Sequence, residues 1–300
     1  VLMIHSAFDQ WRSDVVARVN SGLTDCLPGE SVIPKTLHQA MHYAIKSPGK
    51  RIRGLIACAS GNLFAGNIAQ VIHGAVAIEL IHAYSLIHDD LPSMDDDDLR
   101  RGQPTVHAAY DEATALLVGD ALQPLAYNVL ANQSNKLSSE TRLLQIDLLS
   151  AASGSNGMVG GQAIDLAQIG TTMSQSELEL MHSKKTGALF TASAEIGAIC
   201  GPEYNQSLGK QLKLYAQQIG LGFQVVDDIL DAVSSTEILG KSAGKDLRDN
   251  KPTYVTLLGL KRAKQVANEL AELAEQTLRE LPRRGGYLSD IASLIFNRDY

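Results

Sequence analysis

Apolar residues along this chain recur every three to four positions, and few segments alternate with a period of two. The spacing is clearest over residues 75–87 and 212–226. A repeat of this length predicts helices that bury one face. Clusters of Gly, Pro, Ser and Asn interrupt the repeat and predict loops between the helices. These clusters lie at residues 47–49, 132–139, 170–174, 200–202, 234–252 and 282–286.

The chain contains no internal repeat and no shift in composition that would mark a domain boundary. Ser174 and Glu177 have the spacing of a capping box, in which both side chains accept hydrogen bonds from backbone N–H groups at a helix start. They predict that another helix begins there. We therefore expect residues 1–300 to form a single domain, an all-α bundle of about ten or more helices.

Composition and charge exclude several classes of protein. Apolar residues make up 45% of the chain and charged residues 20%, as in ordinary globular proteins. The net charge of −7 argues against nucleic acid as a partner, so an anionic ligand needs a dedicated site. The three cysteines show no Cys-x-x-Cys spacing, which argues against a disulfide framework or a zinc site. We expect no apolar stretch of the roughly 18 residues that span a bilayer, and a cytoplasmic protein.

The chain concentrates negative charge in one short segment. Six of its 33 acidic residues lie between Asp89 and Asp98, with no basic residue among them. A solvated acidic loop is one interpretation. The position argues against it, because carboxylates at the C-terminal end of a helix face the negative end of the helix dipole. The preceding helix is strongly apolar, so we expect Asp89 to emerge from a buried element.

A second acidic group lies within an apolar helix. Gln224, Asp227, Asp228 and Asp231 stand at i, i+3, i+4 and i+7, which predicts one acidic helix face. A solvated polar face is again the alternative. Clustered carboxylates are hard oxygen ligands that suit Mg²⁺, whose coordination is usually completed by water and phosphate oxygens. Two such groups facing each other would hold metal ions and a polyanion between them.

Further motifs accompany the two acidic groups. The first acidic motif is Asp89-Asp90-Leu91-Pro92-Ser93-Met94-Asp95 with Asp98-Leu99-Arg100-Arg101-Gly102, and the second is Asp227-Asp228-Ile229-Leu230-Asp231. The others are Gly49-Lys50-Arg51-Ile52-Arg53, Gly160-Gly161-Gln162-Ala163-Ile164-Asp165-Leu166, Lys185-Thr186-Gly187, Leu239-Gly240-Lys241-Ser242-Ala243-Gly244-Lys245-Asp246 and Lys251-Pro252-Thr253-Tyr254. With these motifs in this order, the chain resembles the trans-isoprenyl diphosphate synthases over nearly its whole length, and most closely the bacterial farnesyl diphosphate synthases.

The resemblance implies the all-α isoprenoid synthase fold, a single large helical bundle around a deep central cavity with the aspartates at its mouth. It implies a prenyltransferase that joins isopentenyl diphosphate head-to-tail to dimethylallyl and geranyl diphosphate, and it implies a homodimer. By the same resemblance, about three Mg²⁺ ions would bind in the active site. The resemblance assigns Asp89, Asp95 and Asp227 as direct ligands, with Asp90 and Asp231 as close partners.

The resemblance also implies two anion sites. The site for isopentenyl diphosphate comprises Lys50, Arg53, His82 and Arg101. The site for the allylic diphosphate comprises Arg100, Lys185, Lys241 and Lys251, together with Thr186 and Gln224. Lys185, Thr186 and Gln224 are also the residues expected to act in catalysis, because hydroxyl and amide oxygens can stabilise a developing cation. Lys241 and Lys245 lie in a loop expected to order as a lid. Gln162 and Asp165 either support the site or make structural hydrogen bonds.

Tyr84 and Ser85 are expected to set the product length. Tyr84 lies five residues before Asp89, about 7.5 Å along a helix axis. In resembling enzymes a bulky aromatic residue near this position stops the growing chain at fifteen carbons. The expected product is therefore farnesyl diphosphate, with geranyl or geranylgeranyl diphosphate as the alternative. A tyrosine that only fills the core is the other interpretation.

The chain departs from the family pattern at Ser47-Pro48, at Gly54 and at Val255, where the last two replace frequent prolines. A missing proline near a helix start removes some preorganisation but leaves the charged groups in place. Two other functions remain open. A terpene cyclase-like enzyme would not need Lys50 and Arg53 for a second diphosphate. A catalytically silent partner subunit would not need intact acidic motifs.

Overall fold

The computed structural model describes residues 6–47, 49–168, 173–237 and 252–298. In these ranges the helices are α1 (Ala7–Asp25), α2 (Lys35–Lys46), α3 (Ile52–Leu63), α4 (Ile68–Asp89), α5 (Val106–Ala109), α6 (Glu112–Ala131), α7 (Ser139–Ser153), α8 (Met158–Ala167), α9 (Gln175–His182), α10 (Ala188–Ala198), α11 (Gln206–Glu237), α12 (Tyr254–Leu258), α13 (Leu260–Arg279) and α14 (Tyr287–Phe296). Short 3₁₀ turns span Gln133–Asn135 and Pro282–Gly285. The predicted all-α fold is confirmed.

Two irregular elements matter for the site. A short antiparallel hairpin, β1 (Leu99–Arg100) and β2 (Gln103–Pro104), follows the first acidic motif. A π-helical turn, Ser183–Gly187, joins α9 to α10 without a break. π-Turns inside helices are frequent at functional sites because the extra residue changes the direction of neighbouring side chains.

The predicted helix boundaries fit the structure at most loops. The capping box at the start of α9 is confirmed, with Ser174 and Glu177 each bonded to the other's backbone N–H. The expectation of a loop from residue 234 onward is wrong for residues 234–237, because α11 continues to Glu237. Ser and Thr lower helix propensity only slightly, and this stretch contains neither Gly nor Pro to end the helix.

Helix α4 runs through the largest hydrophobic cluster and packs against α1, α3, α6 and α10. Its buried residues lie on all sides of the helix, as expected for a core helix. The expectation of no stretch long and apolar enough to span a bilayer is wrong for α4, which meets that criterion by length and composition. This is weak support for a membrane span, since 61% of its most apolar window is buried inside the protein.

A second, smaller hydrophobic cluster joins α9, the C-terminal half of α11, α12 and α13. Its largest fully buried side chain is that of Tyr254 at the start of α12. This cluster fixes the part of α11 that carries the second acidic motif. The two clusters therefore place the end of α4 and the C-terminal half of α11, with their aspartates, around one space.

Candidate active site

One cavity of about 1150 Å³ collects most of the residues singled out from the sequence. The predicted residues that line it are Lys50, Arg53, His82, Tyr84, Ser85, Asp89, Asp90, Asp95, Arg100, Arg101, Lys185, Thr186, Gln224 and Asp227. Asp231 is not among the lining residues and lies one helical turn beyond Asp227. Lys241, Lys245 and Lys251 lie outside the described residues.

The first acidic motif forms where α4 ends at Asp89. Pro92 has no N–H with which to continue the helix, and the chain turns back on itself. The N–H of Asp95 donates to the carbonyl of Asp89 at 2.8 Å, which brings both side chains to the cavity. Burial raises the pKa of Asp89 to about 6, against the influence of nearby Lys185. The site thus holds a carboxylate whose charge is poorly compensated in the metal-free protein.

Asp90, the second residue of this motif, is bonded to the hairpin. Only 4% of its surface is exposed, and both of its carboxylate oxygens accept from Nε of Arg100, at 2.8 and 2.9 Å. Nη2 of Arg100 donates to the same carboxylate. Arg100, predicted to bind the allylic diphosphate, is therefore also the anchor that fixes the hairpin to the end of α4. Direct metal ligation by Asp90 stays a prediction, and it would require this pair to open.

The second acidic motif splits between two sides of α11. Asp227 faces the cavity, and its Oδ1 accepts from Nη1 of Arg298 at 2.8 Å. Burial raises its pKa, and Arg298 opposes that shift. Asp228 is buried on the other side and accepts the N–H of Tyr254 at 2.7 Å. The predicted single acidic face is therefore wrong for Asp228, which serves to hold the start of α12.

The π-helical turn places Lys185 and Thr186 at the cavity wall. Lys185 Nζ contacts Asp165 Oδ2 at 2.5 Å, so Asp165 supports the site through an ion pair. Thr186 Oγ1 donates to Gln224 Oε1 at 2.6 Å, which leaves the hydroxyl oxygen facing the space between the two walls. A Cβ at Gly161 would lie 2.1 Å from the Lys185 backbone nitrogen, so the glycine allows α8 to pack closely here.

A group of cations also lines the cavity. Its members are Lys50, Arg51, Arg53 and Arg101. Burial lowers the pKa of Arg53 to about 10, with Glu79 opposing the shift, and Arg53 Nε has no hydrogen-bond partner within the described residues. A Cβ at position 49 would lie 2.6 Å from Nη1 of Arg101, so Gly49 lets that guanidinium pack over the backbone. These groups suit an anion that would replace the missing hydrogen bonds.

His82 stands beside this cationic group. Burial lowers its pKa well below the ordinary range for histidine, and the neighbouring arginines add to the effect. The imidazole is therefore neutral at physiological pH. It can donate one hydrogen bond to a phosphate oxygen but supplies no charge.

Two charged residues of the cavity were not predicted from the sequence. Glu79 is 2% exposed, accepts the N–H of Gly54 at 2.9 Å and lies 3.7 Å from Arg51. Arg298 reaches the site from beyond the end of α14. Single charged residues within apolar helices or near a chain end give no pattern in sequence. The only signal available was Glu79 itself, an isolated charge in the strongly apolar α4.

Tyr84 lies one helical turn deeper than Asp89 and is 5% exposed. Its ring meets that of His88 edge-on, with centroids 5.6 Å apart. Ser85 lines the same wall, and its hydroxyl donates to the carbonyl of His82 at 2.9 Å. A large, well-packed side chain therefore bounds the cavity below the first acidic motif.

The carboxylates can be judged as magnesium ligands from their donor atoms. Asp89, Asp95 and Asp227 offer hard oxygens to one cavity. Within the part of the chain that the structure describes, no group of three His, Cys, Asp or Glu side chains could hold a metal ion by itself. Because Mg²⁺ usually keeps several waters and takes phosphate oxygens as ligands, these carboxylates fit ions held jointly with a diphosphate.

Comparison with known proteins agrees with this geometry. The farnesyl diphosphate synthase of Haemophilus influenzae is 44% identical over 276 residues, which cover 92% of this chain and 93% of that protein. The crystal structure of an FPP/GFPP synthase from Zymomonas mobilis matches with a TM-score of 0.87 at 39% identity, over 96% of this chain and 98% of that one. A geranyltransferase from Helicobacter pylori, complexed with magnesium and isoprenyl diphosphate, matches with a TM-score of 0.85 at 33% identity, over 98% of each chain.

The polyprenyl synthetase family matches residues 34–282, a range that runs from the start of α2 to the end of α13 and includes both acidic motifs. The match therefore covers the elements that build the cavity, apart from α14. From the shared fold, the ordered motifs and this match, the chain belongs to the polyprenyl synthetase family.

Proposed function

We propose that this protein condenses isopentenyl diphosphate head-to-tail with dimethylallyl diphosphate and then geranyl diphosphate, and releases diphosphate and farnesyl diphosphate. One observation carries the proposal. A single cavity is lined by carboxylates from both acidic motifs, by a group of cations and by a tyrosine on the helix that ends at the first motif. It thus has a place for each of two diphosphates and for an apolar chain.

Magnesium, when bound, would neutralise the leaving diphosphate and so assist its departure from the allylic carbon. The protein's own part is to hold that diphosphate in one orientation. Asp89 and Asp227 approach it from two walls, and Lys185 adds a positive charge from a third element. Lys185 is itself fixed by Asp165, so the ammonium group needs little reordering as charge develops.

As the carbon–oxygen bond breaks, positive charge spreads over the allylic carbons. The Thr186 and Gln224 pair presents oxygen dipoles to this space, and the Phe223 ring lines it as well. Fixed dipoles stabilise the cation without the free water that would trap it as an alcohol. The double bond of isopentenyl diphosphate then forms the new carbon–carbon bond, and a proton leaves to the departing diphosphate.

The cations that line the cavity favour this reaction over a terpene cyclase-like one. A cyclase ionises one diphosphate, whereas this cavity holds Lys50, Arg53 and Arg101 in addition to the acidic walls. Guanidinium forks bind phosphate oxygens in pairs and suit a second diphosphate. Arg53 Nε, which has no hydrogen-bond partner among the described residues, supports an anion at this place.

Tyr84 supports the fifteen-carbon product. It lies at the cavity wall about 7.5 Å along α4 from Asp89, the distance that five helical residues span. Its position below the first motif limits how far a chain attached at the diphosphate can extend. A geranyl or geranylgeranyl product is the alternative outcome.

We also infer a single-domain homodimer that acts in the cytoplasm. Large apolar side chains on α6 and α7 are exposed in the single chain, namely those of Leu116, Leu117, Leu143 and Leu144. A second copy of the chain would bury them.

The test is incubation of the purified protein with Mg²⁺, isopentenyl diphosphate and each allylic primer in turn, followed by identification of the products by mass. We expect farnesyl diphosphate from both dimethylallyl and geranyl diphosphate. A protein without turnover under any primer would support a silent subunit, and a cyclic hydrocarbon would support a cyclase. A ten- or twenty-carbon diphosphate would leave the reaction type standing and overturn the product length.

A further inference from the structure

Arg298 is held in a fixed orientation beside the second acidic motif. Its Nε donates to the carbonyl of Ile295 at 3.1 Å, and its Nη2 donates to the carbonyl of Phe223 at 3.0 Å. The guanidinium also lies over the Phe223 ring, 4.0 Å from the centroid. The side chain is 10% exposed. Its position is therefore set by α11 and α14 and does not depend on a bound ligand.

The remaining arm of this guanidinium is directed at a predicted metal ligand. Nη1 lies 2.8 Å from Oδ1 of Asp227, whose side chain is 41% exposed towards the cavity. Burial raises the pKa of Asp227, and Arg298 gives the largest opposing effect, ahead of Arg53 and Lys50. Arg298 is thus the cation in direct contact with this carboxylate.

The opposite wall has no equivalent. Within the described residues, no ion pair joins Asp89 to another side chain, in contrast to the pair of Arg298 with Asp227. The two walls therefore start from different states, one with a bound cation and one without. A divalent ion reaching Asp89 meets no paired cation, whereas an ion reaching Asp227 meets a guanidinium already hydrogen-bonded to Oδ1, one of the two oxygens it could take.

We propose that Arg298 is a built-in counter-ion that competes with divalent metal for Asp227 and is released from it when the ion binds. The inference rests on the proposed function, because it assumes that Asp227 is a metal ligand. Mg²⁺ and similar ions bind carboxylate oxygens at about 2.1 Å. A guanidinium hydrogen-bonded to the same oxygen would then lie close to a doubly charged ion, and the two cations repel strongly in a partly buried site. An ion that takes Oδ1 therefore breaks the ion pair, whereas an ion bound through Oδ2 alone would leave it intact and make the Mn²⁺ affinity independent of Arg298.

The experiment measures Mn²⁺ binding by electron paramagnetic resonance of the free ion, with and without inorganic diphosphate. It compares the wild type with Arg298→Gln, which removes the charge and keeps a polar side chain. Arg262→Gln is the matched control, because Arg262 also pairs with a carboxylate, Glu269 at 2.6 Å, but is exposed on α13 outside the cavity. We expect Arg298→Gln to bind Mn²⁺ about tenfold more tightly, as for the loss of one competing charge-assisted hydrogen bond. The control should bind as the wild type does.

A second pair of variants separates this inference from the proposed function. Asp227→Asn should weaken Mn²⁺ binding, and adding Arg298→Gln to it should bring no gain. If Asp227→Asn leaves Mn²⁺ binding unchanged, Asp227 is not a metal ligand, and the proposed competition is then also wrong. If Asp227→Asn weakens binding but Arg298→Gln alone leaves it equal or weaker, the metal role stands and the competition is refuted. Arg298→Lys keeps the charge but loses the planar guanidinium with its several N–H donors, and it should give an intermediate affinity. This variant replaces Arg298→Gln in the comparison if Arg298→Gln does not fold.

Discussion

Replacing Asp89 with asparagine should stabilise the metal-free protein at neutral pH, although it removes a predicted metal ligand. Burial raises the pKa of this carboxyl from 3.8 to about 6, so the folded state disfavours its charged form. Asparagine has nearly the same shape and no charge. The substitution therefore removes a destabilising charge and leaves the packing at the end of α4 in place.

The magnitude and its pH dependence follow from the two pKa values. At about 1.36 kcal/mol per pH unit, the rise from 3.8 to about 6 corresponds to roughly 3 kcal/mol in the free energy of unfolding. Since the folded pKa lies above the unfolded one, the folded protein binds more protons between them, and stability falls as pH rises through this range. The gain from Asp89→Asn should therefore be small near pH 4, about half complete at pH 5 and complete above pH 7.

The assay is urea unfolding with a chelator present, at pH 5 and pH 8, for the wild type, Asp89→Asn and Asp147→Asn. Asp147 is exposed on α7 and provides the control for a lost surface charge. Mg²⁺ with inorganic diphosphate should then stabilise the wild type and not Asp89→Asn, because only a protein that binds the ligand is stabilised by it. The reasoning is refuted if Asp89→Asn is no more stable than the wild type at pH 8. It is also refuted if the substitution raises the free energy of unfolding by the same amount at pH 5 as at pH 8.

Three other substitutions test separate parts of the site. Tyr84→Ala should open the cavity below the first acidic motif and shift the product to twenty carbons or more, read by mass spectrometry, and an unchanged product would mean that the ring only fills the core. Lys185→Met should leave Asp165 without its cation and lower the free energy of unfolding by roughly 2 kcal/mol in urea titrations, whereas a neutral effect would mean that the pair adds no net stability. Asp228→Ala should leave the first N–H of α12 buried without an acceptor and lower stability by about 1–3 kcal/mol, with metal affinity retained, and a loss of metal affinity would return Asp228 to the metal site.

Much of the site could be predicted because the chemistry lies in short motifs. The first acidic motif, the residues around Lys50 and Arg53, and the Lys185-Thr186 pair are each local in sequence, and each lines the cavity. Helical periodicity predicted the class of the fold for the same reason, since a helix that buries one face has apolar residues at regular positions in every turn. The position of Tyr84 relative to Asp89 also followed from helix geometry alone.

Contacts between distant segments could not be predicted in this way. Arg298 contacts Asp227, which lies 71 positions earlier in the sequence. Glu79 on α4 accepts a hydrogen bond from the backbone of Gly54 on α3. Neither pair has a spacing that periodicity or a motif could reveal. Which residues form these pairs depends on which helices pack together, and the helix packing is set by the two hydrophobic clusters.

The amino-acid sequence by itself determined that this chain is helical, that it carries two carboxylate groups and a set of cations, and which residues stand one turn apart. Only the tertiary structure decided how each carboxylate is used. Neighbouring residues on a helix point about 100° apart, so Asp227 and Asp228 can meet different surroundings, and the bond from the start of α12 holds Asp228 while Asp227 lines the cavity. The charge of a residue is known from the sequence, but the residue that compensates this charge depends on which groups are close in space. In the folded chain Arg100 pairs with Asp90, and Arg298 pairs with Asp227.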